Sequence, residues 1–260
     1  MNGTILVATL GAAFLLSLAL WVACYLRAIL VAPAAGRRLF ELMSTLHDRE
    51  HPWCAVEAGE GAPPQPTLDV LARERGFRLL GSMESPSLAS LNKEHGMPLA
   101  VAASADGAIV ARVKTGVPAR IYVLSELSDG RMICTTDDAL AALLDPVTGD
   151  GLEIAASPAD SVALADRHRE ALDALTRQTG LSARVVATLA DAIEQEMRAQ
   201  RRASAFRRLR GYLTEAEIAR FAGATRGFVP RSALRRFQRE FASGVARHRQ
   251  AAISPLPRAR

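Results

Sequence analysis

The chain has 260 residues, which is enough for one compact domain with an extension or for two small domains. It carries a formal net charge of +5 and three cysteines, Cys24, Cys54 and Cys134, without CxxC spacing. An odd and scattered set of cysteines argues against a disulfide framework and fits a reducing compartment.

Residues 5–26 form an apolar stretch without a single charged side chain. At about 1.5 Å of rise per residue, a helix of this length spans roughly 33 Å, and the hydrocarbon core of a bilayer is about 30 Å thick. A secretory signal needs a positively charged start and a shorter apolar core, and residues 1–4 carry no charged side chain. We therefore interpret the stretch as an uncleaved membrane-spanning helix.

Arginines follow this stretch at Arg27, Arg37 and Arg38, and no basic residue precedes it. Positively charged flanks of a span stay in the cytoplasm. The basic residues are almost all arginines, which fits a GC-rich bacterial genome. We expect a single-pass protein of the bacterial inner membrane, with its N-terminus outside and its body in the cytoplasm.

Charge is unevenly distributed along the chain. Residues 1–197 hold 16 Lys and Arg against 24 Asp and Glu, whereas residues 198–260 hold 16 Arg against 3 Glu. An acidic body with a strongly basic C-terminal part predicts an anionic partner for that part, either within the chain or outside it.

Composition and periodicity divide the chain into five consecutive segments. They are an N-terminal transmembrane anchor (1–31), a juxtamembrane helix interrupted near Pro33 and Gly36 with a Gly/Pro-rich linker (32–65), an α+β domain (66–180), a basic helical region (181–250) and a disordered tail (251–260).

Two Asp-Gly turns, at 106–107 and 129–130, each lie between two runs rich in β-branched residues. Because Asp-Gly supplies the positive φ that tight turns need, each pair of runs predicts a hairpin. With residues 77–84 they predict an antiparallel meander sheet of about five strands, and residues 151–157 are a candidate for a last strand. One face of this sheet is expected to be covered by helices, and the apolar spacing predicts helices at 157–175 and 181–197. The fold class is α+β.

The stretch YVLSELSDGRMICTTDD, residues 122–138, contains a strand, an Asp-Gly turn and a strand that ends in Thr-Thr-Asp. This pattern resembles a group of uncharacterised bacterial single-pass membrane-associated proteins that share a strand-turn-strand hairpin of this kind. The later ATRGFV, residues 224–229, is similar to a short stretch of the same group. The resemblance implies a fold and no particular activity.

Residues 47–51, HDREH, match the HxxEH pattern of zinc proteases. On a helix, His47 and His51 would share one face, with Glu50 as base and Cys54 as a further ligand. Pro52 ends such a helix at once, so we interpret the pattern as a solvated helix end and expect no metal and no cofactor.

Other titratable residues fit structural roles better than chemical ones. Asp129, Asp137 and Asp138 suit turns and helix caps, and His168 falls on the apolar stripe of its helix, as a core histidine would. We find no nucleophile motif, phosphate-binding loop or dinucleotide fingerprint.

These observations favour a membrane-anchored, non-enzymatic interaction or scaffold module. An enzyme of unrecognised type stays open, because an active site assembled from distant positions is invisible in one sequence. A nucleic-acid-binding regulator also stays open, because residues 213–237 superficially resemble a helix-turn-helix. Pro230 falls where the recognition helix should run, which argues against that alternative.

Residues 231–249 predict a basic amphipathic helix, with apolar residues on one stripe and arginines around much of the remaining circumference. We expect this helix to lie on the anionic inner surface of the membrane. The alternative is that its apolar stripe packs on the sheet domain while its arginines pair with the acidic body. The residues expected to contact the membrane surface are Arg231, Arg235, Arg236, Phe237, Arg239 and Phe241.

Overall fold

The computed structural model describes residues 3–56, 66–91, 98–114, 120–155, 160–224 and 230–253. The predicted linker at 59–65 and the end of the predicted tail, 254–260, lie outside the described residues. The chain forms two compact units, residues 1–45 with 210–260, here the helical unit, and residues 46–209, here the sheet unit.

The described elements follow one another in this order along the chain. They are α1 (Gly3–Asp48), β1 (Cys54–Val56), α2 (Pro66–Arg75), β2 (Arg78–Glu84), α3 (Pro86–Leu91), β3 (Leu99–Ala103), β4 (Val110–Lys114), β5 (Arg120–Glu126), β6 (Met132–Thr136), a short 3₁₀-helix (Ala139–Leu143), β7 (Gly151–Ile154), α4 (Ser161–Thr179), α5 (Leu189–Arg210), α6 (Glu215–Ala224) and α7 (Arg231–Ile253). The class is α+β, as predicted.

The sheet has seven strands in the order β1-β2-β3-β4-β5-β6-β7. Neighbours from β1 to β6 pair antiparallel, and β7 pairs parallel to β6. The prediction of a purely antiparallel meander of about five strands is therefore wrong in count and in type. The five strands of the prediction are present, but the sheet extends at one edge by β1, which has only three residues, and at the other by β7.

The two Asp-Gly turns form as predicted. Gly107 has φ +69 and Gly130 has φ +85, and their N–H groups donate to Ser104 O and Leu127 O, both at 2.8 Å. A residue with a side chain rarely adopts such a positive φ, so glycine is strongly favoured at these two positions.

Helices cover both faces of the sheet, which corrects the expectation of one covered face. On one face, α2 and α4 enclose a core that includes Ile121, Val123 and Leu127. On the other face, Val101 and Val110 pack with residues of α5. Because both faces are buried, β3 reads as an almost continuous apolar run, LAVAA, instead of an alternating one.

The predicted helix at 181–197 begins only at Leu189. Asp191 accepts hydrogen bonds from the backbone N–H of Thr188 at 2.8 Å, and Thr188 Oγ1 accepts one from the N–H of Asp191 at 3.2 Å. This reciprocal capping box fixes the start of α5. The preceding segment is extended, and Val186 N donates to Gly107 O at 2.9 Å.

In the helical unit, α1 runs without a break through Pro33, so the predicted interruption is absent. The helix approaches α7 very closely. A Cβ atom at Gly36 would lie 2.5 Å from Phe237 O, and one at Gly244 would lie 2.6 Å from the Phe40 ring. Glycine at these two positions lets the two helix backbones come into near contact.

Candidate functional site

The HxxEH residues do not share a helix face, because α1 ends at Asp48. His47 Nδ1 lies 3.2 Å from Ser204 Oγ of α5, and His51 Nδ1 lies 3.0 Å from Ser87 Oγ of α3. Glu50 forms an ion pair with Arg201 at 3.0 Å. The two imidazoles are thus engaged by different helices.

Cys54, the fourth residue of the zinc hypothesis, is exposed on β1. Among the described residues, no group of three or more His, Cys, Asp or Glu side chains is placed to hold a metal ion. Burial and the charge of Arg207 lower the pKa of His47 to about 4, so this imidazole is neutral at pH 7. The cavity beside it measures about 120 Å³, well below the roughly 300 Å³ at which ligand pockets usually begin.

His168, a residue of α4, is fully buried against the sheet, which confirms the prediction of a core histidine. Its Nε2 lies 2.9 Å from Ser125 Oγ, and its Nδ1 lies 2.9 Å from Thr135 Oγ1. Because Ser125 donates its hydroxyl proton to Ala108 O at 2.6 Å, it accepts from Nε2–H, and Nδ1 accepts from Thr135. The serine and histidine therefore form a closed core network.

The same burial lowers the pKa of His168 to about 3, which keeps the ring neutral. The three aspartates expected at turns also have structural partners. Asp129 accepts from the backbone N–H of Arg131 at 3.1 Å, Asp137 accepts from that of Ile121 at 3.0 Å, and Asp138 pairs with Arg120 at 2.9 Å.

A buried polar network on the α5 face of the sheet was not predicted from the sequence. The side chain of Arg112, on β4, is 0% exposed. It donates from Nη2 to Gln195 Oε1 at 2.8 Å, and its Nε lies 3.1 Å from Glu196 Oε2. The guanidinium also lies over the Tyr122 ring, 5.7 Å from its centroid. The only sequence signal for it is an arginine in the middle of the apolar strand VARVK.

Glu126, at the end of β5, is a second buried charge on this face. Its carboxylate pairs with Arg198 at 2.8 Å and with Arg184 at 3.3 Å. Cys134 lies near Arg112 and Glu196, and burial raises the pKa of its thiol to about 12. The contacts of Arg112 and Glu126 therefore hold α5 on the sheet.

The helical unit contrasts with this pattern, because seven of the arginines that the structure describes there are exposed and without an ion-pair partner. On α7, Arg231, Arg235, Arg236 and Arg239 have no ion-pair partner within the part of the chain that the structure describes. On α1, the same holds for Arg27, Arg37 and Arg38. These seven residues are here called the unpaired arginines.

The apolar stripe of α7 packs on α1. Phe241 is 2% exposed, and its ring centroid lies 6.1 Å from that of Phe40. This corrects the placement expected for Phe241, whose side chain is enclosed in the helical unit instead of facing a membrane surface.

Phe237 lies at the edge of an open apolar groove in the helical unit, here called the apolar groove. Its volume is about 380 Å³, and it is lined by side chains of three helices, all of them Ala, Val, Leu, Ile or Phe. The lining residues are Ala28, Val31, Ala32, Ala35 and Leu39 of α1, Ile218, Phe221 and Ala222 of α6, and Ala233, Leu234 and Phe237 of α7.

By length and composition, α1 is able to cross a membrane, and it is the one helix of the described residues that passes this test. A signal sequence or the buried core helix of a soluble protein passes the same test. No protein-family model, curated protein or solved structure matches the chain.

Proposed function

We propose that the chain is a single-pass membrane protein in which α1 is the anchor. The observation that carries this proposal is the exposure of the apolar side chains of α1, with Leu20 at 65%, Trp21 at 53% and Leu30 at 74%. The core helix of a soluble protein buries such side chains, since each contributes about 1.5–3 kcal/mol when removed from water. A bilayer would cover them.

The continuation of α1 argues against a cleaved signal. Phe40, on the same unbroken helix, packs on Phe241 and Tyr212, and Tyr25 Oη lies 3.1 Å from Ser232 Oγ. A leader peptide is removed from the mature protein, whereas this helix supplies part of a packed core.

We further propose that the sheet unit, and the part of the helical unit that follows the apolar stretch, lie on the cytoplasmic side. The helical unit, counted over residues 1–45 and 210–260, has 14 arginines against 4 glutamates, a net charge of +10. Basic segments next to a span are retained on the cytoplasmic side, where the leaflet is anionic. The unpaired arginines would then lie close to anionic headgroups.

The sheet unit is proposed to act as a non-enzymatic interaction module. Three polar side chains of a kind that could take part in catalysis are buried and are hydrogen-bonded or ion-paired to their neighbours. They are His168, Arg112 and Glu126. The surface of the sheet unit carries exposed apolar residues at Leu79 and Val185.

A partner-capture experiment with the full chain tests this role. Capture that is lost in Val185→Glu and kept in Ala163→Glu, at another exposed position, would support it. Substrate turnover in a metabolite screen with no captured partner would contradict it.

The topology is tested with the native cysteines. Cys54 is exposed on the sheet unit, whereas Cys24 lies in the apolar stretch and Cys134 has a thiol pKa of about 12. In a bacterial host, a membrane-impermeant maleimide should label the full chain in inverted inner-membrane vesicles and not in intact spheroplasts. The label should disappear in Cys54→Ser and remain in Cys134→Ser.

Labelling of Cys54 in intact spheroplasts would reverse the orientation. Recovery of the chain in the soluble fraction, or its release from membranes by alkaline carbonate, would contradict the anchor itself.

A further inference from the structure

The lining of the apolar groove has an unusual composition. None of its eleven lining side chains has a hydrogen-bonding group, and its volume of about 380 Å³ falls within the roughly 300–1,000 Å³ of typical ligand pockets. An occupant must therefore be apolar wherever it is buried, because a polar group without a partner costs several kcal/mol in such a site. This requirement excludes sugars, nucleotides and other polar metabolites.

The requirement also disfavours an extended peptide. Each residue of a peptide brings a backbone N–H and a C=O that the groove has no group to satisfy. A hydrocarbon chain has no such groups.

Unpaired arginines lie beside the groove in the sequence of both long helices. Arg27 and Arg38 of α1 immediately precede the lining residues Ala28 and Leu39, and Arg236 of α7 immediately precedes the lining residue Phe237. These side chains are exposed and have no ion-pair partner in the described ranges. An apolar groove with cationic neighbours is complementary to an amphiphile that has an anionic head.

We propose that the apolar groove takes one acyl chain of an anionic phospholipid from the inner leaflet, with Arg27 and Arg236 contacting its phosphate. This inference rests on the proposed function, because the lining of α1 begins at Ala28, two residues after the apolar stretch ends at Leu26. In a membrane-anchored chain the groove would open at the level where headgroups meet acyl chains. Arginine suits this contact because its planar guanidinium binds phosphate with two parallel hydrogen bonds.

The experiment uses the full chain purified in a mild detergent, delipidated and supplied with defined lipids. Native mass spectrometry counts the lipids that stay bound when phosphatidylglycerol, which is anionic, or phosphatidylcholine, which is neutral overall, is added at equal concentration. One retained phosphatidylglycerol per chain is expected, with retention of phosphatidylcholine lower by about tenfold, the equivalent of one charged contact.

Two matched pairs of variants test the groove itself. Ala35 lines the groove and its neighbour Ala34 is exposed, so Ala35→Phe should lower phosphatidylglycerol retention by about tenfold or more and Ala34→Phe should not. On α6, Ala222→Trp should act as Ala35→Phe does, and Ala219→Trp, at an exposed position, should be silent. Helix content measured by circular dichroism shows which variants have folded. Because Ala35→Phe and Ala222→Trp fill the groove from different helices, the test remains decisive if one of them fails to fold.

The headgroup contact has its own variant. Arg27→Gln combined with Arg236→Gln should lower retention of phosphatidylglycerol by about tenfold and abolish its preference over phosphatidylcholine, whose phosphate charge is offset by the choline cation. A wild-type chain that inserts with the expected Cys54 labelling but retains no lipid would overturn this inference and leave the proposed function standing. Equal retention by wild type and both filled variants would overturn the groove as the site, and failure of insertion would overturn the proposed function instead.

Discussion

The two units of the molecule use arginine in opposite ways. In the sheet unit, arginines pair with carboxylates, and residues 46–209 together have a net charge of −5. In the helical unit, with its net charge of +10, seven arginines are exposed and unpaired within the described residues. The paired arginines of the sheet unit are Arg75, Arg112, Arg120, Arg131, Arg167, Arg169, Arg184, Arg198, Arg201 and Arg202.

This difference teaches that arginine content alone says little about function. In one unit the fold pairs arginines with carboxylates, and in the other it leaves seven of the described arginines exposed and without an ion-pair partner. In the sheet unit most pairs are at the surface and contribute little each, while Arg112 and Glu126 are enclosed and their loss is costly. In the helical unit, substitution of an unpaired arginine is expected to change the stability little. These side chains are therefore available for contacts with groups outside the fold.

The largest effect is expected at Arg112. Arg112→Gln leaves Glu196 and the side chain of Gln195 without their buried partner, and it should lower the free energy of unfolding of the sheet unit by about 3 kcal/mol. Hydrogen exchange of β4 and β5 peptides in the full chain measures this. Exchange rates unchanged from wild type would show that the network does not hold α5 on the sheet.

Gly36 should give the next largest effect, in the helical unit. Gly36→Ala places a Cβ atom 2.5 Å from Phe237 O, so α7 must move away from α1 at a cost of about 2 kcal/mol. Gly223→Ala is the matched control, since nothing lies within 4 Å of its added Cβ atom and alanine favours a helix. Hydrogen exchange of α7 should quicken only in the first variant; equal exchange in both would contradict the close contact.

The sheet unit should also lose stability in mild acid. The pKa of His168 is about 3 in the folded state and about 6.5 when unfolded, so between these values the unfolded chain binds more protons. The contribution is fully present well above pH 6.5, and about 1.4 kcal/mol should be lost between pH 8 and pH 5.5. His47, whose pKa is lowered to about 4, adds a loss in the same direction.

Carboxylates titrate mostly below this pH window, so the histidines should dominate it. In His168→Gln the slope of stability against pH should become shallower, whatever the stability of the variant at neutral pH. A slope equal to that of wild type would contradict the buried neutral imidazole.

The smallest effect is expected at Arg235. Because its side chain is exposed and has no ion-pair partner among the described residues, Arg235→Gln should change the stability of the helical unit by less than about 0.5 kcal/mol. The measurement is the exchange of α7 peptides. A loss of stability close to that caused by Arg112→Gln would show that Arg235 stabilises the fold. The contrast between the two units would then not hold.

Local signals in the sequence were enough for much of the fold. The two Asp-Gly turns, the five inner strands and the helical stripes of α4 and α7 each depend on neighbours within a few residues. β7 was only a candidate strand, and its parallel pairing with β6 joins positions that no local pattern connects. β1 was missed because three residues after Pro52 carry almost no periodicity.

Partners of the amphipathic stripes were not predictable, since a stripe shows which side of a helix is buried and not against what. The stripe of α7 fits a membrane surface, a sheet or another helix equally well, and the structure places Phe241 on Phe40. Likewise, Arg112, Glu126 and Gln195 look like surface residues in the sequence, because burial of polar groups depends on partners far away in the chain.

The helical unit is assembled from two pieces of chain that are about 160 residues apart. During synthesis, α1 emerges before the sheet unit, and α6 and α7 follow the sheet unit. Since domains generally fold as units as they are made, the sheet unit can complete its core while Phe40 and Leu39 still lack their helical partners. The helix α1 therefore lacks its packing partners until α6 and α7 have been made, and the apolar groove forms only after the sheet unit.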